Sequence, residues 1–380
     1  MIPLASLLTP GRIGSLDLPN RIILPAITTY SATGNGEADE RFIHFYQKRA
    51  RGQAGLLVVQ CANITPETPG ARHTLGIYDD RFIPGLKKLA EKVHALGARI
   101  ALQVGHLGPG QAEPMRRAGW KRKLDLIAPS ALPYATTGII PREMSREDIR
   151  YIQRAFAEAA RRVKDSGFDA LEVHGAHGRL ISMFLSPYYN RRRDEYGGTG
   201  ENRARFACEV ISQTKKEVGK DFPLILKMNG NDGHEGGSTI TEAAYYARLF
   251  EAAGADCLCV SGGVFGFSPS IPSLKDPPAP FAPFAEKIRA AVKIPVIAVG
   301  KIDLELGEQL LQRGKADFVA LGRPFLADPE IITKARAGKE KEIRRCSYCN
   351  HCLATLSTEE QPGGKGIQCP LNPLLLQENE

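Results

Sequence analysis

The sequence of 380 residues lacks long hydrophobic runs and a recognisable secretion signal. No apolar stretch approaches the roughly 18–20 residues that a membrane-spanning helix requires. The N-terminal stretch, MIPLASLLTPGRIGSLDLPN, starts apolar but has neither a basic n-region nor a small-residue cleavage site. These absences predict a soluble, cytoplasmic protein that does not bind membranes.

Aromatic residues are also few, at 7% of the sequence with a single tryptophan. The formal net charge of +8 includes basic clusters at residues 115–123, 161–164 and 191–193. Nucleic-acid binding would require basic residues interleaved with stacking aromatics, and Trp120 alone lies within such a cluster. We interpret the clusters as solvated loops and helix faces and expect no nucleic-acid partner. The positive charge better suits an acidic small molecule or an acidic electron carrier.

No GxGxxG motif follows the first strand-like segment, which argues against an open dinucleotide-binding sheet. Instead, short apolar segments and amphipathic segments alternate eight times, which predicts parallel strands joined by crossover helices. Eight such units favour a closed (β/α)8 TIM barrel over a doubly wound sheet. The predicted strands are residues 21–26, 55–60, 99–105, 170–174, 224–229, 257–262, 295–300 and 318–322. The predicted helices are residues 40–52, 84–96, 146–165, 201–218, 239–253, 284–292, 304–312 and 329–337.

A glycine followed by a cation ends each of the last two predicted strands, as Gly300-Lys301 and Gly322-Arg323. TIM barrels carry their functional residues at the C-terminal ends of the strands, and the last two loops commonly bind phosphate. Glycine lets backbone N–H groups approach a phosphate, and Lys or Arg neutralises its charge. Tight turns alone would also explain the glycines, but the repeated pairing with a cation favours a phosphate site.

His174 and His177 lie three residues apart in the motif VHGAHG, at the end of the fourth predicted strand. Two imidazoles in this position can donate hydrogen bonds to one oxygen, and so polarise a carbonyl or hold a phenolate. A metal site and a purely structural pair are the alternatives. The glycine between the two histidines, and the lack of a carboxylate at helical spacing, argue against a metal.

The eight cysteines are unevenly distributed. Cys346, Cys349 and Cys352 are separated by two residues each, and Cys369-Pro370 follows after sixteen further residues. Without a secretion signal, such a cluster indicates metal binding rather than disulfides. Its spacing is similar to that of bacterial ferredoxins, in which the remote cysteine precedes proline, and structural zinc is the competing interpretation. The other four lie in apolar segments and are typical of small core residues: Cys61, Cys208, Cys257 and Cys259.

Several motifs together resemble the old yellow enzyme family. They are RIILPAITTY, GLLVVQ, LQVGHLG, EVHGAHG, FLSPYYNRRRDEYGGTGENRARF and VALGRPFLADPE, spread over residues 5–335, and the stretch from Asn190 to Arg203 is highly specific. The terminal cysteines extend the resemblance to the iron–sulfur branch, with 2,4-dienoyl-CoA reductase, 2-enoate reductases and trimethylamine dehydrogenase. The resemblance implies an FMN-binding barrel over residues 1–338 and a 4Fe–4S-binding segment over residues 339–380.

The resemblance also implies that FMN binds non-covalently at the mouth of the barrel. Thr28 stands where the trimethylamine dehydrogenase branch has a cysteine bonded to the flavin, which argues against a covalent linkage. Lys227 replaces an arginine common in the family beside N1 and O2 of the ring, where a cation stabilises the anionic reduced flavin. By motif, the isoalloxazine contacts Pro25, Ala26, Thr28, Cys61, Gln103 and Lys227, and the ribityl phosphate contacts Gly300, Lys301, Gly322 and Arg323.

The family further implies that His174 and His177 anchor a substrate carbonyl over the flavin, so that N5 delivers hydride to the β-carbon. Many relatives then protonate the α-carbon with a tyrosine two residues after the second histidine, where this chain has Arg179. Arginine stays protonated and is a poor acid, so Tyr30 or solvent must supply the proton. We hypothesise that Arg179 grips a substrate carboxylate or phosphate; the alternative is that it turns outward to an acidic neighbour.

Related flavoproteins hold a 4Fe–4S cluster close enough to FMN for single-electron transfer, although their last cysteine gap is usually shorter. We therefore predict 4Fe–4S rather than zinc. Larger relatives append FAD- and NAD(P)H-binding domains, and a chain ending at Glu380 is expected to have no room for them. Electrons are then expected to be exchanged with a separate ferredoxin-like protein, or to come from NAD(P)H directly. A homo-oligomer is compatible with the sequence.

Three functions fit these features. The first is reduction of the C=C bond of an α,β-unsaturated carbonyl, enoate or enoyl-CoA, which the histidine pair favours. The second is dehydrogenation of an amine or another substrate, with electrons leaving through the cluster; such sites usually offer an aromatic cage, and Tyr30, Tyr188 and Tyr189 are weak support for one. The third is an electron-transfer subunit of a larger complex, against which the intact histidine pair weighs.

Overall fold

Eight short segments of aliphatic and β-branched residues form the parallel strands of one barrel in the computed structural model. The structure describes residues 4–67, 73–111, 125–357 and 366–376. The strands are nearly all buried, as expected for a parallel sheet covered by helices. In chain order they are β1 Ile22–Leu24, β2 Leu56–Asn63, β3 Ile100–Gly105, β4 Ala170–Gly175, β5 Leu224–Asn229, β6 Cys257–Ser261, β7 Val296–Val299 and β8 Phe318–Ala320.

The sheet closes because β1 pairs in parallel with both β8 and β2, while the remaining strands pair in sequence order. Alternate residues point inward and form a separate core inside the barrel, which contains Ile23, Val58 and Cys259. A short hairpin, formed by Gly11–Ile13 and Leu16–Leu18, adds the buried side chains of Ile13 and Leu18 to this inner core. The predicted (β/α)8 fold is confirmed.

Eight helices surround the barrel and bury their apolar faces against the outside of the strands. Several begin at side-chain caps; the long helix after β3 has a capping box formed by Ser145 and Asp148. Within the described part of the chain, no helix combines the length and the apolar character that crossing a membrane requires. The helices are α1 Glu40–Arg51, α2 Ile83–His94, α3 Arg146–Asp165, α4 Gly200–Val218, α5 Ile240–Ala253, α6 Ala282–Arg289, α7 Leu304–Gln312 and α8 Ile331–Arg336.

The predicted bounds of α3, α7 and β5 agree with the structure, whereas others differ by a few residues. Helix α6 starts two residues earlier than predicted because a proline is accommodated in its first turn. The eighth strand was predicted to include Gly322, but the strand ends at Ala320 and Gly322 begins the six-residue helix Gly322–Ala327. That helix was not predicted, and neither was Leu180–Leu185, which follows β4.

The C-terminal segment packs against the C-terminal side of the barrel. The N–H of Ile367 donates to the carbonyl of Thr29 at 2.9 Å, in the loop after β1. The buried amide of Asn372 donates to the carbonyl of Leu326 at 2.9 Å, in the short helix after β8. These contacts bring the last cysteine next to the loops in which the sequence predicts the flavin site.

Candidate active site

One cavity lies at the C-terminal ends of the barrel strands, and we call it the barrel-mouth cavity. It is lined by all fourteen residues that the sequence suggested for flavin or substrate contact. The loops after the strands converge there because parallel strands present their C-terminal ends on one face. The fourteen residues are Pro25, Ala26, Thr28, Tyr30, Cys61, Gln103, His174, His177, Arg179, Lys227, Gly300, Lys301, Gly322 and Arg323.

Lys227 provides a buried cation in the barrel-mouth cavity. It is 6% exposed, and its ammonium makes no hydrogen bond or ion pair with the described residues. Beside it, Glu172 is fully buried and its carboxylate accepts a hydrogen bond from the Gln103 amide at 2.5 Å. Burial raises the pKa of Glu172, and the neighbouring charge of Lys227 opposes that shift. Sequence reasoning missed Glu172, although its place in the EVHGAHG motif, two residues before the first histidine, was a usable signal.

The two histidines face each other across 5.4 Å between ring centroids, nearly perpendicular to one another. Burial is the main cause that lowers the pKa of His174 and of His177 well below the usual value, and the cations Lys227 and Arg179 lower both further. Both rings are therefore neutral near pH 7. The backbone N–H of Ala176 donates to Nδ1 of His174 at 3.3 Å, so the neutral ring carries its proton on Nε2.

His177 is held in place by residues on two neighbouring strands. Its Nε2 lies 2.7 Å from the hydroxyl of Ser261 at the end of β6. Its backbone N–H donates to the side-chain oxygen of Asn229 at 3.1 Å, at the end of β5, and the Asn229 amide donates to Asp232 at 2.9 Å. Ser261, Asn229 and Asp232 had no role assigned from sequence, because only the folded barrel brings three strand ends together.

Arg179 points into the barrel-mouth cavity rather than outward to an acidic group. Its guanidinium lies 4.8 Å from the ring centroid of Phe265, and no carboxylate among the described residues pairs with it. Its buried Nε has no hydrogen-bond partner there either. Tyr30 lines the same cavity. The arrangement leaves Arg179 as a positioned, unneutralised cation near the histidine pair.

The last two loops place two cations beside the predicted phosphate position. The ammonium of Lys301 donates to the carbonyl of Leu274 at 3.1 Å, and the guanidinium of Arg323 donates to the carbonyl of Pro272 and to the side chain of Asn350. The Tyr348 ring lies under both, with its centroid 5.6 Å from the Lys301 ammonium and 4.8 Å from the Arg323 guanidinium. Both cations also line the barrel-mouth cavity.

A second, smaller cavity adjoins the first, and we call it the cysteine cavity. Cys346, Cys349, Cys352 and Cys369 all line it, together with Arg323 and without any carboxylate. The described residues contain no group of three His, Cys, Asp or Glu side chains arranged to hold a metal ion. The fold therefore brings the four cysteines to one cavity, but it does not show them arranged around a metal. Their role as metal ligands stays a prediction.

The residues present fit the two predicted cofactors. An unpaired, buried ammonium at Lys227 suits a ring that becomes anionic on reduction. Four thiols around one cavity, with an arginine and with no carboxylate among the described residues that line it, suit an iron–sulfur cluster with its net negative charge. Cys352 lines both cavities, so the two sites share a wall.

Comparison with known proteins identifies the family. Residues 6–342 match the NADH:flavin oxidoreductase / NADH oxidase family. An NADH oxidase from Thermoanaerobacter brockii is 38% identical over 382 residues, covering 97% of this chain and 56% of the relative. A 2-naphthoyl-CoA reductase in complex with 2-naphthoyl-CoA superposes with a TM-score of 0.92 at 29% identity, covering 99% of this chain and 58% of that one. Histamine dehydrogenase from Rhizobium sp. 4-9 superposes with a TM-score of 0.86 at 26% identity, covering 98% and 53%.

The chain spans about half the length of these relatives. The family match nevertheless extends over nearly all of the barrel, and the aligned region of the NADH oxidase covers the cysteine segment as well. The two solved structures, a reductase and an amine dehydrogenase, support the iron–sulfur branch that the motifs suggested. The chain belongs to the NADH:flavin oxidoreductase / NADH oxidase family.

Proposed function

We propose that this protein is an FMN- and iron–sulfur-dependent reductase of the C=C bond of an α,β-unsaturated carbonyl, enoate or enoyl-CoA. The observation that carries the proposal is the neutral histidine pair, with a defined N–H donor on His174, inside a cavity that also holds buried Lys227. Bound FMN would supply hydride to the β-carbon. The residues of the chain bind and polarise the substrate.

The histidine pair suits a carbonyl oxygen that gains negative charge. The neutral ring of His174 can donate from Nε2 without gaining a proton, because its Nδ1 accepts a hydrogen bond from a backbone N–H and the ring proton is therefore on Nε2. Ser261 holds the ring of His177, and Asn229 holds its backbone N–H. Preorganised donors of this kind stabilise a developing oxyanion more than they stabilise the ground state. Lys227, without a partner among the described residues, offsets the negative charge that accumulates in the cavity on reduction.

Arg179 supports an acidic substrate. A guanidinium that stacks on Phe265 and lacks a carboxylate partner in the described chain is preorganised to bind a carboxylate or phosphate of the substrate. Because arginine is a poor acid, Tyr30 or solvent supplies the proton to the α-carbon. Tyr30 lines the cavity, which is the geometric condition for that role.

The cysteine cavity supports single-electron exchange with the flavin. Cys352 belongs to the walls of both cavities, so a 4Fe–4S cluster held by Cys346, Cys349, Cys352 and Cys369 would adjoin the flavin. Cys349 is exposed, which gives an external electron carrier access to the cluster. We propose a ferredoxin-like donor or acceptor, with NAD(P)H as the direct alternative, and a reducing, cytoplasmic location in which thiolates persist.

Amine dehydrogenation is the second candidate, favoured by the similarity to histamine dehydrogenase. An aromatic cluster does exist, with His234 stacked on Phe267 at 4.1 Å and Tyr188 and Tyr189 against them. None of these four rings is among the residues that line the barrel-mouth cavity. A cationic amine would also meet Lys227 and Arg179, which repel it. The geometry therefore favours a neutral or anionic substrate over a cationic amine.

Anaerobic stopped-flow reoxidation of the reduced protein tests the proposal. An enone, an unsaturated acid and an enoyl-CoA are expected to reoxidise the flavin, whereas an electron-transfer subunit would be reoxidised by none of them. His174→Asn is expected to slow reoxidation by about 10²-fold, because one donor to the oxyanion is lost. His234→Asn, outside the cavity lining, is the matched control and should retain the wild-type rate. Reduction of the oxidised flavin by amines, with no reoxidation by the alkenes, would contradict the proposal.

The anchoring role of Arg179 has a separate test. Arg179→Ala is expected to raise KM at least tenfold for an unsaturated acid, because a charge-assisted bidentate contact is lost. KM for the corresponding aldehyde should change little. A fall in kcat with unchanged KM for every acidic substrate would show that Arg179 does not anchor an anion.

A further inference from the structure

Arg49 is a buried cation that the proposed reaction does not use. It lies in α1 and is 1% exposed. Its guanidinium stacks 3.5 Å from the Phe45 ring centroid and donates to the Phe45 carbonyl at 2.7 Å, while its Nε has no hydrogen-bond partner. Burial lowers the pKa of Arg49.

The other buried arginines are neutralised by carboxylates. Arg192 pairs with Asp194 at 2.6 Å, and Arg203 pairs with Glu242 at 2.6 Å. No carboxylate among the described residues pairs with Arg49. A buried charge without a counterion is unfavourable, so a nearby anion would stabilise Arg49.

Two groups that can become negatively charged, Tyr46 and Cys369, interact electrostatically with Arg49. Burial raises the pKa of Tyr46, so its phenol stays neutral and supplies no charge. Cys369 lines the cysteine cavity. Helix α1 and the cysteine segment are in close contact, since a Cβ on Gly366 would lie 3.2 Å from the guanidinium of Arg41. Arg41, Phe45 and Arg49 follow one another at four-residue spacing and so share one face of α1.

We propose that Arg49 is the charge partner of the iron–sulfur cluster and raises the cluster's reduction potential. The inference rests on the proposed 4Fe–4S site. Bound thiolates would supply the anion that Arg49 lacks, and adding an electron to the cluster increases the negative charge next to a fixed cation. Arg323 lines both the cysteine cavity and the barrel-mouth cavity, so its substitution would disturb both sites. Arg49 is not among the residues that line either cavity, which makes it the better residue to test.

The experiment is a potentiometric titration of anaerobically purified holoenzyme, followed by the electron paramagnetic resonance signal of the reduced cluster. Arg49→Met is expected to lower the reduced-to-oxidised ratio at the wild-type midpoint at least tenfold, or about 59 mV for a one-electron couple. Arg49→Lys keeps the charge and should stay within threefold of wild type. Arg51→Met, an exposed arginine of the same helix, is the matched control and should not shift the potential.

Iron and sulfide analysis distinguishes failure of the proposed cluster from failure of the proposed role of Arg49. Wild-type protein without iron and sulfide would overturn the cluster itself and this inference with it. A fully loaded Arg49→Met variant with the wild-type potential would overturn the role of Arg49 alone. If Arg49→Met does not fold, Arg49→Gln, which also removes the charge, decides: a tenfold lower reduced-to-oxidised ratio at the wild-type midpoint supports the role of the charge, and a ratio within threefold of wild type contradicts it.

Discussion

Four residues of the barrel-mouth cavity adopt left-handed backbone conformations although none is glycine. The φ angles are 49° for Tyr30, 62° for His177, 53° for Lys301 and 55° for Tyr348. Such angles are uncommon outside glycine and persist when surrounding contacts impose them. For His177 those contacts are Ser261 and Asn229. The strained backbone turns these side chains into the cavity.

Residue types, their positions after strands and the family resemblance were enough to predict fourteen of the residues that line the cavity, because strand ends converge in every barrel. They did not identify others, such as Ser261 and Phe265. The sequence did not predict the conformations of these residues. Backbone angles at His177 depend on side chains of β5 and β6, which lie 52 and 84 residues away in sequence. Arg49 could not be singled out for the same reason: in the sequence it resembles the other cations of α1, and only the fold buries it within electrostatic range of Cys369.

Gly300 is expected to be required for FMN binding. Its φ is +112°, and a Cβ there would lie 2.6 Å from the Phe281 ring. Gly300→Ala should therefore displace the loop at the predicted phosphate position and weaken FMN retention at least tenfold, measured as FMN per protein after gel filtration. Gly338→Ala is the control, with a φ of +70° and nothing within 4 Å. It should cost about 1 kcal/mol of stability but leave FMN bound; equal retention by both variants would contradict the prediction.

His106 is expected to make stability depend on pH. Burial lowers the pKa of His106 to about 4, while histidine in an unfolded chain titrates near 6.5. The unfolded state therefore binds the proton first, so this contribution is complete above pH ~6.5 and is lost as pH falls towards 4. Between about pH 7.5 and 5.5 the free energy of unfolding should fall by about 1 kcal/mol from His106. Urea denaturation of wild type and His106→Gln checks this: the variant should lose less by that amount.

At the scale of elements, the alternation of apolar and amphipathic segments was enough to predict most strands and helices of the barrel. Helices α3 and α7 and strand β5 agree in full with their predicted bounds, because periodicity and caps are local signals. The short helices Leu180–Leu185 and Gly322–Ala327 lie outside that pattern. Each follows a strand end directly and is stabilised by packing rather than by its own sequence, so local signals do not reveal it.

Asn372 is expected to hold the C-terminal segment on the barrel. Its buried amide donates to Leu326, and its backbone N–H donates to Cys369. Asn372→Ala should leave the Leu326 carbonyl without this donor and cost about 1–3 kcal/mol. Iron should be lost from the holoenzyme faster than in wild type when a chelator is added. Asn202→Ala, which lines neither cavity, should lose iron at the wild-type rate, and an unchanged rate in Asn372→Ala would contradict the role.

At the scale of the whole molecule, two binding sites are built from different parts of the chain. The barrel-mouth cavity draws its residues mainly from the loops after the eight strands. The cysteine cavity draws on the C-terminal segment and the short helix after β8. They meet at Cys352, Arg323 and Leu326, which belong to both walls. This organisation predicts that the proposed cluster can be removed without loss of the flavin.

Cys369→Ala is expected to separate the two cofactors. Cys369 lines the cysteine cavity only, so its loss should reduce iron and sulfide at least tenfold while FMN content stays within twofold of wild type. Reoxidation of the reduced flavin by an unsaturated substrate should continue, because His174, His177 and Lys227 lie in the other cavity. Electron exchange with a one-electron carrier should slow in proportion to the iron lost. Cys208→Ala, on α4 and outside both cavities, is the matched control and should keep both cofactors. If FMN is lost together with iron in Cys369→Ala, the two cavities form one cooperative site and do not bind their cofactors independently.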